Sequence, residues 1–254
     1  MHIYIYDSYL NDKKYESSLA KIETRLTDLG LNGKIIRLGT ISSIQDTIKE
    51  EIKRGAKTFI AVGNIKILNQ VTSSMAKFFQ NNQIGNTVPL GFIPVGKTQN
   101  EFSIKLGIDL EEGACDFLAA RRIKIIGLGQ VNQEYFLTQA KITTMKTLLE
   151  IDANYSIEIK KEGEIFINNL SLYHYSQPDI LSDINDNILE LTIKNNKLAL
   201  FKSNNVNNSV FPFSKLIISN PDKKLLIDNC VEITMPATIT VAQEKINLIV
   251  GKNR

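Results

Sequence analysis

The sequence predicts an α/β domain built on a parallel sheet, followed by an all-β domain. In the first half, short apolar runs alternate with segments whose apolar residues recur every three or four positions. That alternation is typical of parallel strands covered by helices on both faces. Beyond about residue 122, short β-type runs follow one another with Asn, Asp, Gly and Lys between many of them. This second pattern indicates a β-sandwich or β-barrel.

Four strands with three intervening helices are predicted in the first half. The strands are "HIYIY", "GKIIRL", "KTFIAV" and "PLGFIPV". The first helix ends at Gly30, since glycine is the common C-terminal stop, and its apolar face consists of Tyr15, Leu19, Ile22, Leu26 and Leu29. The second begins at Ser43, which forms a capping-box-like pair with Asp46, and runs to Gly55. The third is "IKILNQVTSSMAKFF".

The second half is predicted to consist of short strands. Tyr155, Ile157 and Ile159 alternate with polar residues, so one face of that strand is expected to be half-buried. The runs are "IKIIGLG", "EYFLTQA", "YSIEIK", "EIFINNLSLYH", "ILELTIK", "KLALFK", "SKLIIS", "KLLIDN" and "ITVAQEKINLIV". Polar loops are predicted at "SQPDILSDINDN" and "KSNNVNNSV".

Composition excludes several classes of protein. The 254 residues are 43% hydrophobic and 22% charged, which is ordinary for a soluble globular protein. Thirty basic residues against 27 acidic ones give a net charge of +3, so no nucleic-acid partner is expected. The longest basic cluster, "AARRIKI", is short and is interpreted as a solvated helix end.

Cysteine, histidine and hydropathy patterns point to the cytoplasm. Cys115 and Cys230 are far apart, which argues against a disulfide framework, and His2 and His174 are isolated, which argues against a Cys/His zinc site. The N-terminus lacks the pattern of a signal peptide. No run reaches the roughly 18 apolar residues that a membrane-spanning helix needs. A cytoplasmic protein, soluble or peripheral at the inner membrane face, is therefore predicted.

The stretch "FIAVGNIKILNQV" from Phe59 to Val71 stands where α/β enzymes often hold a phosphate. An apolar run ends at Gly63 and a helical run leaves it, and helix N-termini after glycine turns bind phosphates. The segment "AVGNIKILNQV" resembles the first signature of the diacylglycerol kinase catalytic-domain family, A-V-G-G-D-G-T-x-N-E-V. About twenty-five residues later, "PLGFIPVGKTQNEFSIKLGI" resembles the second signature, a strand followed by G-T-x-N-D-F and L-G-I. "IIGLGQVNQEYFLTQA" and "SVFPFSKLIISNPDKKLLIDN" extend the likeness in order over nearly the whole chain.

The resemblance implies an architecture and an activity. It implies an α/β domain of the phosphofructokinase and NAD-kinase type over residues 1–122, rejoined by the last strand, 240–254. It implies a β domain over 123–239 that helps to form the acceptor site. ATP and Mg²⁺ would be the cofactors of phosphoryl transfer to a lipid hydroxyl. A nucleotide and a lipid are the implied partners, together with peripheral membrane contact and a homodimer.

The first signature is altered in its chemistry. Gly63 keeps the first glycine of G-G-D-G-T, whereas Asn64, Ile65, Lys66 and Ile67 replace the other four residues. Side chains in place of glycine crowd a phosphate, and Ile65 cannot ligate Mg²⁺. Lys66 is interpreted either as a positive charge for a phosphate or as a solvated lysine of the first helical turn.

The second signature retains Gly96, Thr98 and Asn100, for which nucleotide contact is predicted by resemblance. The alternative is a polar turn in which Thr or Asn caps a helix. Glu101 replaces the family's Asp and can still bind Mg²⁺, directly or through water.

The late D-G-E triplet of the family becomes Asp228, Asn229 and Cys230. Asp228 matches the position of the family's general base, and a turn-forming Asp-Asn is the alternative. Acidic residues of the family are replaced at Ile65, Gly127 and Cys230, which weakens neutralisation of the γ-phosphate charge.

Two functions follow from these residues. One is a kinase-like pseudoenzyme that binds a nucleotide or lipid in an ATP-type cleft with weak or no phosphoryl transfer. The other is an active ATP-dependent kinase of a lipid or small alcohol that uses Glu101 for metal, Lys66 for phosphate and Asp228 as base. A third interpretation is an unrelated small ligand in the cleft.

Overall fold

The computed structural model of the chain describes residues 1–39, 43–82, 87–96, 101–169, 188–195 and 209–251. The described chain divides into a first unit, Met1–Ile126 with Glu244–Arg254, and a second unit, Gly127–Gln243. The first is an α/β unit with parallel strands and the second is built from antiparallel strands. The predicted fold class is therefore confirmed.

Four parallel strands begin the sheet of the first unit, and the end of the last strand of the chain pairs in parallel with the fourth of them. They are β1 (His2–Tyr6), β2 (Gly33–Arg37), β3 (Thr58–Gly63) and β4 (Leu90–Pro94). Their order across the sheet is β2-β1-β3-β4. Every residue of β3 and β4 is buried, as expected for strands with helices on both faces.

Five α-helices accompany these strands in the described part of the first unit. They are α1 (Glu16–Asp28), α2 (Ile44–Lys53), α3 (Ile65–Asn82), α4 (Glu101–Lys105) and α5 (Glu112–Ala120). Two short 3-10 helices, Ser8–Asn11 and Lys13–Tyr15, precede α1. The predicted face of α1 is buried at Leu19, Ile22 and Leu26. None of the described helices is long and apolar enough to cross a membrane.

The β-strands of the remaining chain are mostly short and antiparallel. Their bounds are β5 (Ile123–Val131), β6 (Glu134–Phe136), β7 (Gln139–Thr144), β8 (Thr147–Ile151), β9 (Tyr155–Ile159), β10 (Gly163–Asn168), β11 (Leu189–Asn195), β12 (Ser209–Phe213), β13 (Lys215–Ser219), β14 (Leu225–Ile227), β15 (Val231–Ile233) and β16 (Ala237–Ile249). One sheet has the order β12-β11-β10-β7-β14-β15, and in the other β13 lies between β8 and β16.

The core of the second unit is formed by side chains from both of these sheets. Ile142, Ile165 and Leu191 lie on β7, β10 and β11 of one sheet. They share one buried cluster with Leu149 on β8 and Ile218 on β13 of the other sheet. Alternation of buried and half-buried positions along β7, β8 and β10 directs these side chains inward. The period-two pattern of the sequence therefore produces a two-layer β unit.

A buried carboxylate joins α2 to β2. Glu51 Oε1 accepts hydrogen bonds from Lys34 Nζ at 2.6 Å and from Arg54 Nη1 at 2.8 Å. The Glu51 side chain is only 3% exposed. The hydrogen bond from Lys34 is the largest influence that lowers the pKa of the Glu51 carboxyl, while burial opposes it.

We expect Glu51→Gln to destabilise the protein near neutral pH by about 1–3 kcal/mol, since hydrogen bonds to a charged acceptor are lost. The folded pKa of Glu51 is lowered, so the contribution of the ionised carboxylate is full above the ordinary glutamate pKa. It is lost as the pH falls through the folded pKa. Thermal unfolding at about pH 7 and at about pH 3 should show the difference from wild type shrinking in acid.

Glu50→Gln is the matched control. Glu50 pairs with Arg54 at 3.5 Å, but both side chains are mostly exposed, so little change is expected. An equal loss for Glu51→Gln at both pH values would contradict a role for the ionised carboxylate.

Candidate functional site

The carboxyl ends of β1, β3 and β4 form the candidate site. In the sheet, β1 has two neighbours: β2, which follows it in sequence, lies on one side of β1, and β3 lies on its other side. The chain therefore reverses direction across the sheet between β1 and β3. Open α/β sheets bind ligands outside the carboxyl ends of the strands at such a reversal. The segments that leave this edge begin at Asp7, Asn64 and Val95.

Gly63 brings the first two of these segments into contact. Its φ is +143°, a backbone conformation that favours glycine. A Cβ at this position would lie 2.8 Å from Asp7 Cβ and 3.2 Å from Ile67 Cγ2. Glycine is thus required by close packing between protein groups, in addition to any approach of a ligand.

The side chain of Asn64 caps the helix that follows. Asn64 Oδ1 accepts hydrogen bonds from the backbone N–H of Lys66 at 2.8 Å and from that of Ile67 at 3.3 Å. The first N–H groups of a helix are the groups that a phosphate would use. In this chain two of them are already satisfied by a side chain.

Tyr9 lies across the ends of β3 and β4. Its hydroxyl donates a hydrogen bond of 2.7 Å to the carbonyl of Val95. Tyr9 Cε1 is 3.5 Å from the position that a Cβ of residue 63 would take. Burial raises the pKa of the Tyr9 hydroxyl, so it remains a neutral donor. The Tyr9 side chain therefore covers part of the carboxyl edge of the sheet next to Gly63.

The structure brings three of the predicted site residues to this edge. Gly63 ends β3, Lys66 is exposed in the first turn of α3, and Gly96 follows β4. The backbone N–H of Val95 donates to the carbonyl of Gly63 at 2.9 Å. This bond holds the segments that follow β3 and β4 together where they leave the sheet. A Cβ at Gly96 would meet no atom of the described residues within 4 Å.

The other predicted residues of the second signature are not placed. Thr98 and Asn100 lie outside the described residues. Glu101 is the first residue of α4, and its side chain also lies outside the described structure.

Asp228 lies in the second unit, where it is 4% exposed. Its Oδ2 accepts from the Leu137 N–H at 2.7 Å. Its Oδ1 accepts from the Thr138 N–H at 2.9 Å, the Thr138 hydroxyl at 2.6 Å and the Gln139 N–H at 3.1 Å. Burial raises the pKa of the Asp228 carboxyl, and these four hydrogen bonds oppose that rise. Both oxygens therefore hold the turn that leads into β7.

The described residues do not fit a Mg²⁺ ion. Among them, no group of three or more His, Cys, Asp and Glu side chains is arranged to hold a metal. Ile65 supplies no ligand at the altered loop, and Cys230 directs its Sγ to the carbonyl of Asp228 at 3.0 Å. Hard cations prefer several oxygen ligands.

Sequence reasoning missed Asn64 as a cap and Tyr9 as a bridge. Asn64 had a recognisable signal, since Asn is a preferred residue immediately before a helix. Tyr9 had none, because its partner Val95 is 86 residues away in sequence.

Solved bacterial structures share this fold. One, described as a diacylglycerol kinase from Bacillus anthracis str. Sterne, matches with a TM-score of 0.74 and 16% identity over 98% of this chain and 96% of that chain. Two others, described as candidate diacylglycerol kinases of the same organism, match with TM-scores of 0.73 and 0.74 at 16% and 15% identity. These two matches each cover 98% of this chain, and they cover 96% and 97% of the matched chains. No protein-family model matches the sequence, and no curated protein matches it. The predicted resemblance is therefore confirmed as a likeness of fold.

Proposed function

We propose that the chain is a diacylglycerol-kinase-like protein that binds a nucleotide at the carboxyl edge of its first unit and transfers phosphoryl groups weakly or not at all. The observation that carries this proposal is the capping of α3 by Asn64. The shared fold and the strand order support a ligand at this edge. Because the N–H groups of Lys66 and Ile67 already donate to Asn64, a nucleotide would bind without close hydrogen bonds from these groups to its phosphates.

Loss of charge supports weak transfer. Phosphoryl transfer depends on positioning and on neutralising the charge of the transferred group. Ile65 brings no charge to the altered loop, and both oxygens of Asp228 already accept hydrogen bonds from Leu137, Thr138 and Gln139. A carboxylate so engaged is a poor acceptor for a hydroxyl proton. A lipid at the same edge of the sheet is the remaining ligand that the shared fold suggests.

Binding of a non-hydrolysable ATP analogue, titrated with and without Mg²⁺, tests the proposal. We expect binding that changes little on adding Mg²⁺. A lipid extract supplied with ATP and Mg²⁺ should show little or no phosphorylated product. Turnover at an ordinary kinase rate would contradict weak transfer, and the lack of any analogue binding would remove the nucleotide from the function.

Asn64→Gly tests the role of the cap. The substitution frees the N–H groups of Lys66 and Ile67 for a phosphate, so we expect the ATP analogue to bind about three- to tenfold more tightly, the worth of one net hydrogen bond. The helix itself should lose only a few tenths of a kcal/mol, about the difference between Asn and Gly as N-cap residues. Asn64→Asp is the matched control, because aspartate keeps the cap and should bring no gain. Equal affinity in Asn64→Gly and wild type would contradict competition between cap and phosphate.

An active lipid kinase is the second candidate function, and Lys66 favours it. Its ammonium is exposed beside the candidate site and forms no ion pair with a described residue. A lysine so placed can contact a phosphate as a point charge. If lipid phosphorylation is found, Glu101→Gln and Asp228→Asn should each reduce it, and unchanged activity in both would overturn these roles.

A further inference from the structure

A pocket lies at the opposite end of the same sheet, where β1 and β3 begin. His2 and Thr58 start these strands side by side, and both line the pocket together with Arg121 from the end of α5. The other lining residues are aliphatic, apart from Tyr4, whose hydroxyl donates to the carbonyl of Leu31. Thr58 is five residues before Gly63 on β3, about 16 Å at the rise of a strand. The pocket is thus separate from the candidate nucleotide edge.

Arg121 and Thr58 supply this pocket with hydrogen-bond donors. Arg121 Nη1 donates to Thr58 Oγ1 at 3.4 Å, which leaves the hydroxyl hydrogen of Thr58 and the remaining guanidinium N–H groups available for an acceptor. Thr58 is 1% exposed, so its hydroxyl is held inside the protein. No lining residue is acidic. The complement of such a lining is a group that only accepts hydrogen bonds.

Positive charge converges on the same place. Burial lowers the pKa of His2, and repulsion by Arg121 and Lys57 lowers it further. Neither Arg121 nor Lys57 forms an ion pair with any residue that the structure describes. An anion would relieve this repulsion, and it would let His2 take up a proton.

Arg121 occupies a backbone position that suits glycine. It is the C-terminal cap of α5 with φ +48°, in the left-handed region. Helices commonly end with glycine in this conformation, because a Cβ is disfavoured there. The backbone at the end of α5 therefore does not account for an arginine at residue 121, whereas a role of its guanidinium in the pocket does.

We propose that this pocket binds a small oxyanion of the phosphate type, either free or as the terminal group of a monoester. The enclosed part of this pocket holds about one water-sized group, so a single oxygen of the anion would enter it while the rest of the anion stays at the open mouth. One oxygen of the anion would accept from Thr58 and Arg121, with the ring of His2 beside it. Lys57 adds charge from an exposed position. This site does not depend on nucleotide binding at the other edge of the sheet.

The ring protons of His2, followed by NMR over a range of pH, report on this site directly. The chain has only two histidines, His2 and His174, and the missing signal of His2→Gln assigns the resonance. We expect inorganic phosphate to move the midpoint of the His2 titration upward by about one pH unit relative to sodium chloride at equal ionic strength, as an opposite charge nearby does. Glycerol 3-phosphate should act likewise if a monoester fits. An effect of inorganic phosphate alone would assign the site to the free ion.

Arg121→Gly and Arg122→Gln are the decisive variants. Glycine suits the backbone at residue 121, so Arg121→Gly should fold and melt at least as high as wild type, yet lose the phosphate effect on His2. Arg122→Gln removes one positive charge from the adjacent residue, which does not line the pocket, and should keep the effect. Phosphate should also raise the melting temperature of wild type and Arg122→Gln, but not of Arg121→Gly. The same His2 shift in Arg121→Gly, or an equal shift with chloride, would overturn the site.

Discussion

Asp228→Asn is expected to destabilise the second unit by about 3 kcal/mol or more. Four donors meet the two carboxylate oxygens, and the residue is almost fully buried. An amide in the same place keeps one acceptor oxygen and loses the charge, so at least the Leu137 N–H, which Oδ2 accepts from, faces an NH₂ group. Each buried donor left without an acceptor costs about 1–3 kcal/mol. Asparagine tolerates the left-handed backbone at φ +47° as aspartate does, so the loss measures the acceptor role alone.

Urea unfolding and amide hydrogen exchange check this expectation. The N–H groups of Leu137, Thr138 and Gln139 should exchange faster in Asp228→Asn than in wild type. Asp152→Asn is the matched control, because Asp152 also has a left-handed backbone, at φ +50°, and accepts only two backbone bonds, from Ser214 and Lys215. We expect it to cost about 1 kcal/mol. If the wild type phosphorylates a lipid, an Asp228→Asn protein that keeps wild-type stability but loses this activity would favour the predicted general base instead.

Gly63→Ala is expected to cost about 2–4 kcal/mol, as strained and overpacked sites do. The added Cβ would approach Asp7 Cβ to 2.8 Å and Ile67 Cγ2 to 3.2 Å, and neither neighbour can retreat easily. Ile67 is fully buried, and Asp7 is held by a backbone bond of 3.0 Å to the carbonyl of Val62. Thermal unfolding followed by circular dichroism measures the loss.

Gly96→Ala separates the cost of the backbone conformation from the cost of overpacking in the stability loss expected for Gly63→Ala. Gly96 also has a positive φ, +155°, but its Cβ position is open. Only the backbone cost of about 1 kcal/mol is expected there. If the two alanine variants proved equally stable, packing against Asp7 would not be the reason for glycine at residue 63.

Much of the first unit could be predicted from apolar periodicity. The face of α1 and the buried strands β3 and β4 follow from patterns that span a few residues. The start of helix α5 was not predicted, because no Ser, Thr, Asp or Asn caps it. Its N-cap, Glu111, has φ +50° and no side-chain cap bond. Its position depends on packing instead, with Cys115 and Leu118 buried.

The candidate site was predicted by position more than by chemistry. Gly63 was found because the strand, turn and helix are adjacent in sequence. Asn64 was interpreted as a replaced glycine, since a motif comparison does not show which N–H groups a side chain accepts from. The contacts of Asp228 could not be predicted, because its partners Leu137, Thr138 and Gln139 lie about 90 residues earlier. Long-range hydrogen bonds leave no periodic signal in a sequence.

The lysine that neutralises Glu51 has a second consequence, for solubility. Lys34 lies on β2, which is the outermost strand in the order β2-β1-β3-β4. In the described part of the chain β2 has a strand partner on one side only, and an outer strand with an exposed Ile35 can pair with a strand of another molecule. The cations of Lys34 and Arg37 flank that isoleucine along the strand. We therefore expect the same ammonium that anchors a helix also to disfavour edge-to-edge pairing between molecules.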